Sequence, residues 1–393
     1  MILTIDKNTF LWYKGNKGLI YNSSNYKSFT FNNVKQIESI LKTLKKPKSL
    51  YMANLRNDYY KDDKLNEWVN NLITIDAGKI FPDAKNAEAS LLPIIKIHKD
   101  RERLLSYNDY LEMLNHVHEI TFHLNGASLR QEDNKLSQQY FYPLISDRSL
   151  DYKDVLSFIS RFPNTVLINF VGDFSNYPHF SELIDRLKDR RSYIILYSRI
   201  EDLALVEEKK RGILNSCNVV ALCKGNQKIN NSLQLIESSF ENKRVDFLCS
   251  SEEDMSFVES LELKKNILKI IPFYNGNNVA FLQKYVFLNE DEILHQKLEK
   301  RKIFINQTIN GFFFGKLLVL PDGSVKANAN TPVIGNINKN INNMLNSLFD
   351  KDSAWFQTRD KKPCKNCIYQ WLCPPVSNYE LLTSVGYFCN LVH

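Results

Sequence analysis

From about residue 103 to residue 273 the chain alternates between short apolar runs and amphipathic segments, and this alternation restricts the fold more than any other feature. The runs at 119–124, 166–171, 193–197, 217–223, 245–249 and 267–273 have strand length and are rich in aliphatic and aromatic residues. Between them, segments such as 151–161, 179–188, 228–241 and 252–261 read as helices. Strands joined through helices pair in parallel, because a parallel pair needs a long crossover. Six such units predict an α/β fold, a parallel sheet covered by helices and either doubly wound or curled into a partial (β/α)6 barrel. Residues 290–302 read as an exit helix with its charges on one side.

The flanks do not keep this period. Phe10-Leu-Trp-Tyr13, Leu19-Ile-Tyr21 and Ser28-Phe-Thr-Phe31 read as three strands separated by turn segments at 15–18 and 22–25. Asn32 and Asn33 then stand where a helix cap belongs, ahead of Val34, Ile37, Ile40, Leu41 and Leu44 on one face. A meander followed by such a helix is a winged-helix-like pattern. Residues 49–98 predict a strand near 50–52, a helix at 65–72 and a strand at 91–97. On the far side, 311–320 and 324–327 flank Pro321-Asp-Gly323 as a hairpin, and a helix near 341–349 leads into the C-terminal segment. For 393 residues two or three domains are expected, and the pattern divides at 1–100, 101–304 and 305–393.

Composition removes several classes. With 44% hydrophobic and 24% charged residues the chain has ample core and is not intrinsically disordered. No run reaches the ~18 apolar residues of a membrane helix, and residues 1–6 lack the layout of a secretory signal, so a cytoplasmic protein with no membrane partner is expected. Lys+Arg 51 against Asp+Glu 44 gives +7, and 16 Lys/Arg against 10 Asp/Glu within residues 1–100 place +6 of it there. So modest an excess predicts no nucleic-acid partner. It reads as a solvated face, with attraction for an acidic partner as the alternative.

The seven cysteines are unevenly placed. Cys217, Cys223 and Cys249 lie in apolar runs and read as small buried hydrophobes. Cys364, Cys367, Cys373 and Cys389 follow the spacing C-x2-C-x5-C-x15-C. In a large cytosolic chain such crowding points to metal rather than disulfides. Four thiolates make a site for zinc or for an iron–sulfur cluster, and the spacing does not choose between them. No P-loop, nucleophile elbow or His-Glu-x-x-His occurs. His116, His118 and His123, without paired carboxylates nearby, read as structural or surface residues.

Cys364-Lys-Asn-Cys367-Ile-Tyr-Gln-Trp-Leu-Cys373-Pro-Pro, preceded by Pro321-Asp-Gly323 and Gly335-Asn-Ile337, resembles the SPASM extension of radical-SAM peptide-modifying enzymes. With Phe10-Leu-Trp-Tyr13, Leu19-Ile-Tyr-Asn22 and Cys373-Pro-Pro-Val-Ser-Asn-Tyr-Glu380, the chain is similar to pseudo-radical-SAM proteins. These accompany a true radical-SAM maturase in systems that make ribosomal peptides with Gly-Gly leaders. The departures are informative. The family's C-x3-C-x2-C motif follows the first barrel strand, yet residues 125–140 contain no cysteine. Gly172 and Asp173, after the second strand, echo the family's methionine-binding turn and are vestigial on this comparison. The ligands of one auxiliary cluster are missing: Asn328 and Ser377 stand at two of its positions, and 306–311 contains no cysteine. Cys364, Cys367, Cys373 and Cys389 supply the full set for the other.

The resemblance therefore implies a radical-SAM-like partial barrel with an N-terminal winged-helix-like peptide-recognition domain and a C-terminal SPASM-like tail. It implies one [4Fe–4S] cluster, with Zn2+ as the alternative, and no functional SAM site. The expected function is non-catalytic: assisting maturation by binding the precursor peptide, the radical-SAM peptide maturase, or both. An iron–sulfur electron-transfer partner of that maturase is the alternative. A third possibility, non-radical chemistry at the barrel mouth, lacks a convergent acid–base or nucleophile set. A leader peptide is expected at the edge formed by residues 19–31 and the helix at 34–44.

Overall fold

The computed structural model describes residues 1–92, 102–107, 109–126, 134–188, 194–206, 208–214, 217–225, 240, 243–261, 267–383 and 388–391. Nearly all of the expected helix at 228–241, most of the expected strand at 91–97 and part of the cysteine-free loop (127–133) lie outside the described residues.

The first 81 residues carry six strands: β1 (Ile2–Ile5), β2 (Thr9–Lys14), β3 (Lys17–Asn22), β4 (Ser28–Asn32), β5 (Met52–Asn54) and β6 (Gly78–Phe81). β2, β3 and β4 form the antiparallel meander, and the helix Lys35–Leu44 follows. β1 lies between β5 and β6 in a second antiparallel sheet. Neither β1 nor β6 was expected. The helix start also differs from expectation. Val34 is its N-cap, without a side-chain bond, and Asn33 instead closes the meander by donating its N–H to Asn16 O.

Both faces of the meander are buried, and strand alternation divides them. Leu11 and Ile20 join Ile37, Leu41, Trp68 and Leu72 of the helices Lys35–Leu44 and Asp63–Thr74. Phe10, Trp12, Leu19 and Tyr21 pack on Ile293, Ile303, Ile368, Tyr369 and Leu372 from the far end of the chain. At Gly18 an added Cβ would lie 2.0 Å from Phe31 Cζ, so only glycine leaves room for that ring.

The alternating region forms β7 (Glu119–His123), β8 (Leu167–Val171), β9 (Ile194–Arg199), β10 (Asn218–Lys224), β11 (Lys243–Cys249) and β12 (Leu268–Pro272). All six pair in parallel, each beside its predecessor. This order never reverses, which excludes the doubly wound arrangement. β13 (Lys316–Val319) adds in parallel beside β7, and β14 (Ser324–Lys326) and β15 (Val333–Asn336) extend the sheet to nine strands. The hairpin at Pro321-Asp-Gly323 is present, with Gly323 at φ +80. It belongs to the central sheet rather than to a detached tail.

One face of the sheet lies under helices such as Tyr152–Ile159 and Phe180–Lys188 and carries Phe122, Phe170, Ala221 and Phe247. Cys217, Cys223 and Cys249 are buried in that core. The expected exit helix is two helices, Glu290–His295 and Lys300–Thr308, with Lys297 between them at φ +47. Among the described residues, no helix is long and apolar enough to cross a membrane.

Candidate functional site

The last forty residues contain little regular structure. Buried Trp355 and Phe356 anchor the segment to the main core. A 3-10 turn spans Cys364–Asn366, and the short helix Asn378–Leu382 begins at Ser377 through a capping box with Glu380. Residue 389 returns to bridge Leu288. The structure brings Cys364, Cys367, Cys373 and Cys389 together around one cavity of about 200 Å3, walled largely by apolar groups such as Leu288, Pro374 and Phe388. None of the four is in a disulfide.

Backbone and side-chain donors reach the sulfurs, a backbone bond from Leu391 to Cys389 among them. Tyr369 N–H donates to Cys367 Sγ at 3.4 Å and Arg359 Nη1 to Cys364 Sγ at 3.5 Å. Arg359 makes a two-pronged ion pair with Glu380 at 2.8 and 3.1 Å and donates to Pro374 O and Pro375 O. Glu380 also accepts from Ser377 N–H and from Phe388 N–H, while Gln370 Nε2 donates to Arg359 O. This one pair therefore ties together the segments that carry all four cysteines. It was not anticipated: Arg359 sits in the charged run Arg359-Asp-Lys-Lys362. Glu380 had a signal, the Ser-x-x-Glu capping pattern.

Burial pushes the Cys367 thiol up to about 11 and the Cys373 thiol up to about 12, and raises Cys389. In this apolar cavity these three sulfurs are therefore thiols unless a cation compensates their charge. A single zinc ion requires four sulfurs about 2.3 Å from one point. Among the described residues, no three His, Cys, Asp or Glu side chains are grouped to hold one ion. The four thiols line one cavity without converging on a point.

Where the resemblance lacks cluster ligands, hydrogen bonds stitch the chain. Asn328 Nδ2 donates to Asn378 Oδ1 at 2.7 Å, and Asn330 Nδ2 reaches the same oxygen. Asn306 Nδ2 donates to Trp371 O and Cys373 O, and Asn310 Nδ2 to Gln357 O and Val376 O.

Gly172 and Asp173 follow β8, and both are engaged. The Asn125 amide pairs with the Asp173 backbone, Nδ2 donating to Asp173 O at 2.8 Å and Oδ1 accepting from Asp173 N–H at 2.9 Å. A Cβ on residue 172 would lie 2.3 Å from that Oδ1. The Asp173 carboxylate accepts from Ser175 N–H, Ser175 Oγ and Asn176 Nδ2 and is 8% exposed, so it is a turn former with little left for a ligand's ammonium group.

Residues 136–142 pack on the sheet's second face. Leu136 and Tyr142, with Tyr140 and Phe141 beside them, pack on Val171, Tyr197, Val220, Leu222, Leu248 and Ile271. The Phe141 and Tyr197 rings are 4.4 Å apart. Tyr140 OH donates to Asp246 Oδ2 at 2.6 Å, and fully buried Asp246 is paired with Arg244. Gln139 exchanges two hydrogen bonds with the Tyr274 backbone, pinning the segment in place. On β7, Glu119 takes Lys316 and Asn169 as partners, while His123 is fully buried and its Nδ1 has no partner among the described residues. His118 is exposed, and half-buried His116 stacks on Tyr107.

No protein-family model matches the chain, and no curated protein matches it in sequence. Among solved structures it is similar to BtrN in complex with AdoMet and 2-DOIA. That chain is 13% identical with a TM-score of 0.31, and the match covers 58% of this chain and 82% of that one. It is also similar to BtrN in an open conformation, at 12% identity and a TM-score of 0.28, covering 64% and 92%. Similarity at this level carries no argument about function.

Proposed function

We propose that the chain is a non-catalytic, radical-SAM-like accessory protein of the cytoplasm. It assists maturation of a ribosomally synthesised peptide by binding a precursor with a Gly-Gly leader, the radical-SAM maturase, or both. The observation that carries this reading is the packing of residues 136–142 on the second face of the sheet. Leu136, Tyr140, Phe141 and Tyr142 pack on part of that face, and the Asn125 amide is hydrogen-bonded to the turn at Gly172 and Asp173, which supports a site without turnover. The unreversed strand order supports a partial (β/α)6 barrel, the meander and helix Lys35–Leu44 a winged-helix-like domain, and the cysteine cavity a SPASM-like tail.

Cys364, Cys367, Cys373 and Cys389, which line one cavity, would hold one [4Fe–4S] cluster, with Zn2+ as the alternative. Bound there, the cluster cross-links the tail and supplies one-electron redox capacity. All four cysteines are partly exposed, which supports the second reading, an electron-transfer partner of the maturase. A zinc-loaded chain that sustains maturation as well as the iron-loaded one would exclude that role. The primary test is anaerobic reconstitution followed by dithionite and S-adenosylmethionine: no 5′-deoxyadenosine above a cluster-free control is expected. Turnover would overturn the non-catalytic assignment.

A further inference from the structure

The segment that packs on the sheet's second face is held there by groups from outside the parallel strands. It begins with the helix Asn134–Gln139, and a helix leaves its last carbonyls without partners of its own. Asn330 Nδ2 donates to Gln138 O at 2.9 Å, and Asn378 Nδ2 donates to Gln139 O at 3.4 Å. The partial negative charge at a helix C-terminus favours donors in these places. Lys135 and Gln139 complete the attachment through the backbone of Asn275 and Tyr274, just beyond β12.

Asn378 is oriented by two donors. Its Oδ1 accepts from Asn328 Nδ2 at 2.7 Å and from Asn330 Nδ2 at 3.2 Å, which directs its Nδ2 to Gln139. Its neighbours in the chain serve the thiols instead: Ser377, Tyr379 and Glu380 line the cysteine cavity. Glu380 grips Arg359, and Arg359 donates to Cys364 Sγ. Tyr379 OH donates to Pro272 O at the end of β12. Four consecutive residues thus join the cavity to the sheet and to the segment that packs on it. Two of the residues involved, Asn328 and Ser377, stand where the resemblance places ligands of the missing cluster.

We propose that Asn328, Asn330 and Asn378 form a joint in place of that cluster, through which a metal in the cysteine cavity keeps residues 134–142 on the sheet. Cys373 and Cys389 flank the helix Asn378–Leu382 in sequence, so a metal held by both fixes the helix at its two ends. Without the metal that cross-link is gone, the helix shifts, and the bond from Asn378 to Gln139 is lost. Residues 134–142 then uncover Val171, Tyr197, Val220, Leu222, Leu248 and Ile271. This rests on the reading of the four cysteines as a metal site. It adds that the state of that site governs access to the sheet's second face.

The test is hydrogen exchange, read by mass spectrometry, on the full chain loaded anaerobically with iron and sulfide and then stripped with a chelator. Stripping is expected to speed exchange at least tenfold in 134–142 as well as in 364–382. Asn378→Ala and Asn378→Asp both remove the donor to Gln139 O, and the aspartate keeps the acceptor for Asn328 and Asn330. Either variant, once loaded, should exchange in 134–142 as fast as the stripped wild type while keeping its iron and the protection of 364–373. Stripping that speeds 364–382 and leaves 134–142 unchanged would overturn the joint and leave the metal-site reading intact. Loaded variants that protect 134–142 as well as wild type would overturn the role of Asn378. A chain that takes up neither iron nor zinc would overturn that reading and this inference together.

Discussion

Arg359 and Glu380 show how much one buried pair can organise where regular structure is scarce. Their side chains are 10% and 3% exposed, and every remaining lone pair and donor direction is used by the tail's backbone or by Cys364. Removing one partner leaves the other charge buried and uncompensated, which costs about 3–5 kcal/mol. Glu380→Ala should therefore lower stability by about that amount in urea titrations and, if the four cysteines hold a cluster, reduce the iron retained per chain. An unchanged midpoint would show that the pair is dispensable. His123 offers a second test. Its complete burial pushes the imidazole down to about 3 from 6.5. Between those values the unfolded chain binds a proton that the native chain refuses, so stability falls as pH falls through that window. At pH 4 the loss is about 3 kcal/mol relative to neutral pH. A His123→Leu variant should lose less stability than wild type between pH 7 and pH 4, and equal losses would place the acid sensitivity elsewhere.

At the level of elements, strands longer than four residues were legible. All six parallel strands fall within two residues of the expected runs, because residues buried on both faces read as continuous apolar stretches. The meander was legible through its turn residues. β1 and β6 were not, since their burial depends on each other and on β5 rather than on any local pattern. The division of 290–302 at Lys297 was equally hidden, since no glycine marks the positive φ there. The meander's tight point is Gly18. Gly18→Ala places a methyl group inside the Phe31 ring, and such overpacking costs about 1–3 kcal/mol. The variant should melt earlier, and an unaltered melting curve would mean that Phe31 rotates away at no cost.

Across the whole molecule, the two ends of the chain share one core. Ile368, Tyr369 and Leu372 lie between the cysteines and pack on Phe10, Trp12, Leu19 and Tyr21. If the four cysteines hold a cluster, removing it releases the segment that covers one face of β2 and β3. Chelation should then raise amide hydrogen exchange in 9–22 as well as in 364–373, while β10 and β11 stay protected. Exchange confined to the tail would refute the coupling. Cys367→Ser should reproduce the effect and abolish bound iron, whereas Cys217→Ser, inside the helix-side core, should leave the iron content unchanged. Equal iron in both variants would refute the ligand assignment.

The sequence alone determined the parallel sheet, the meander and the thiol-rich tail. Each is written in a local signal: an apolar run with its helix, a turn residue between strands, or a cysteine spacing. Only the tertiary structure decided the rest. The strand order excluded the doubly wound form because pairing between distant strands leaves no mark in either one. Arg359 became buried because Glu380, twenty-one residues later, folds over it. Asn125 met Gly172, and residues 136–142 covered the sheet, through contacts between segments far apart in the chain, which no local pattern encodes. The same holds for the join between Trp12 and Leu372: periodicity says that a residue is apolar, and only packing says against what.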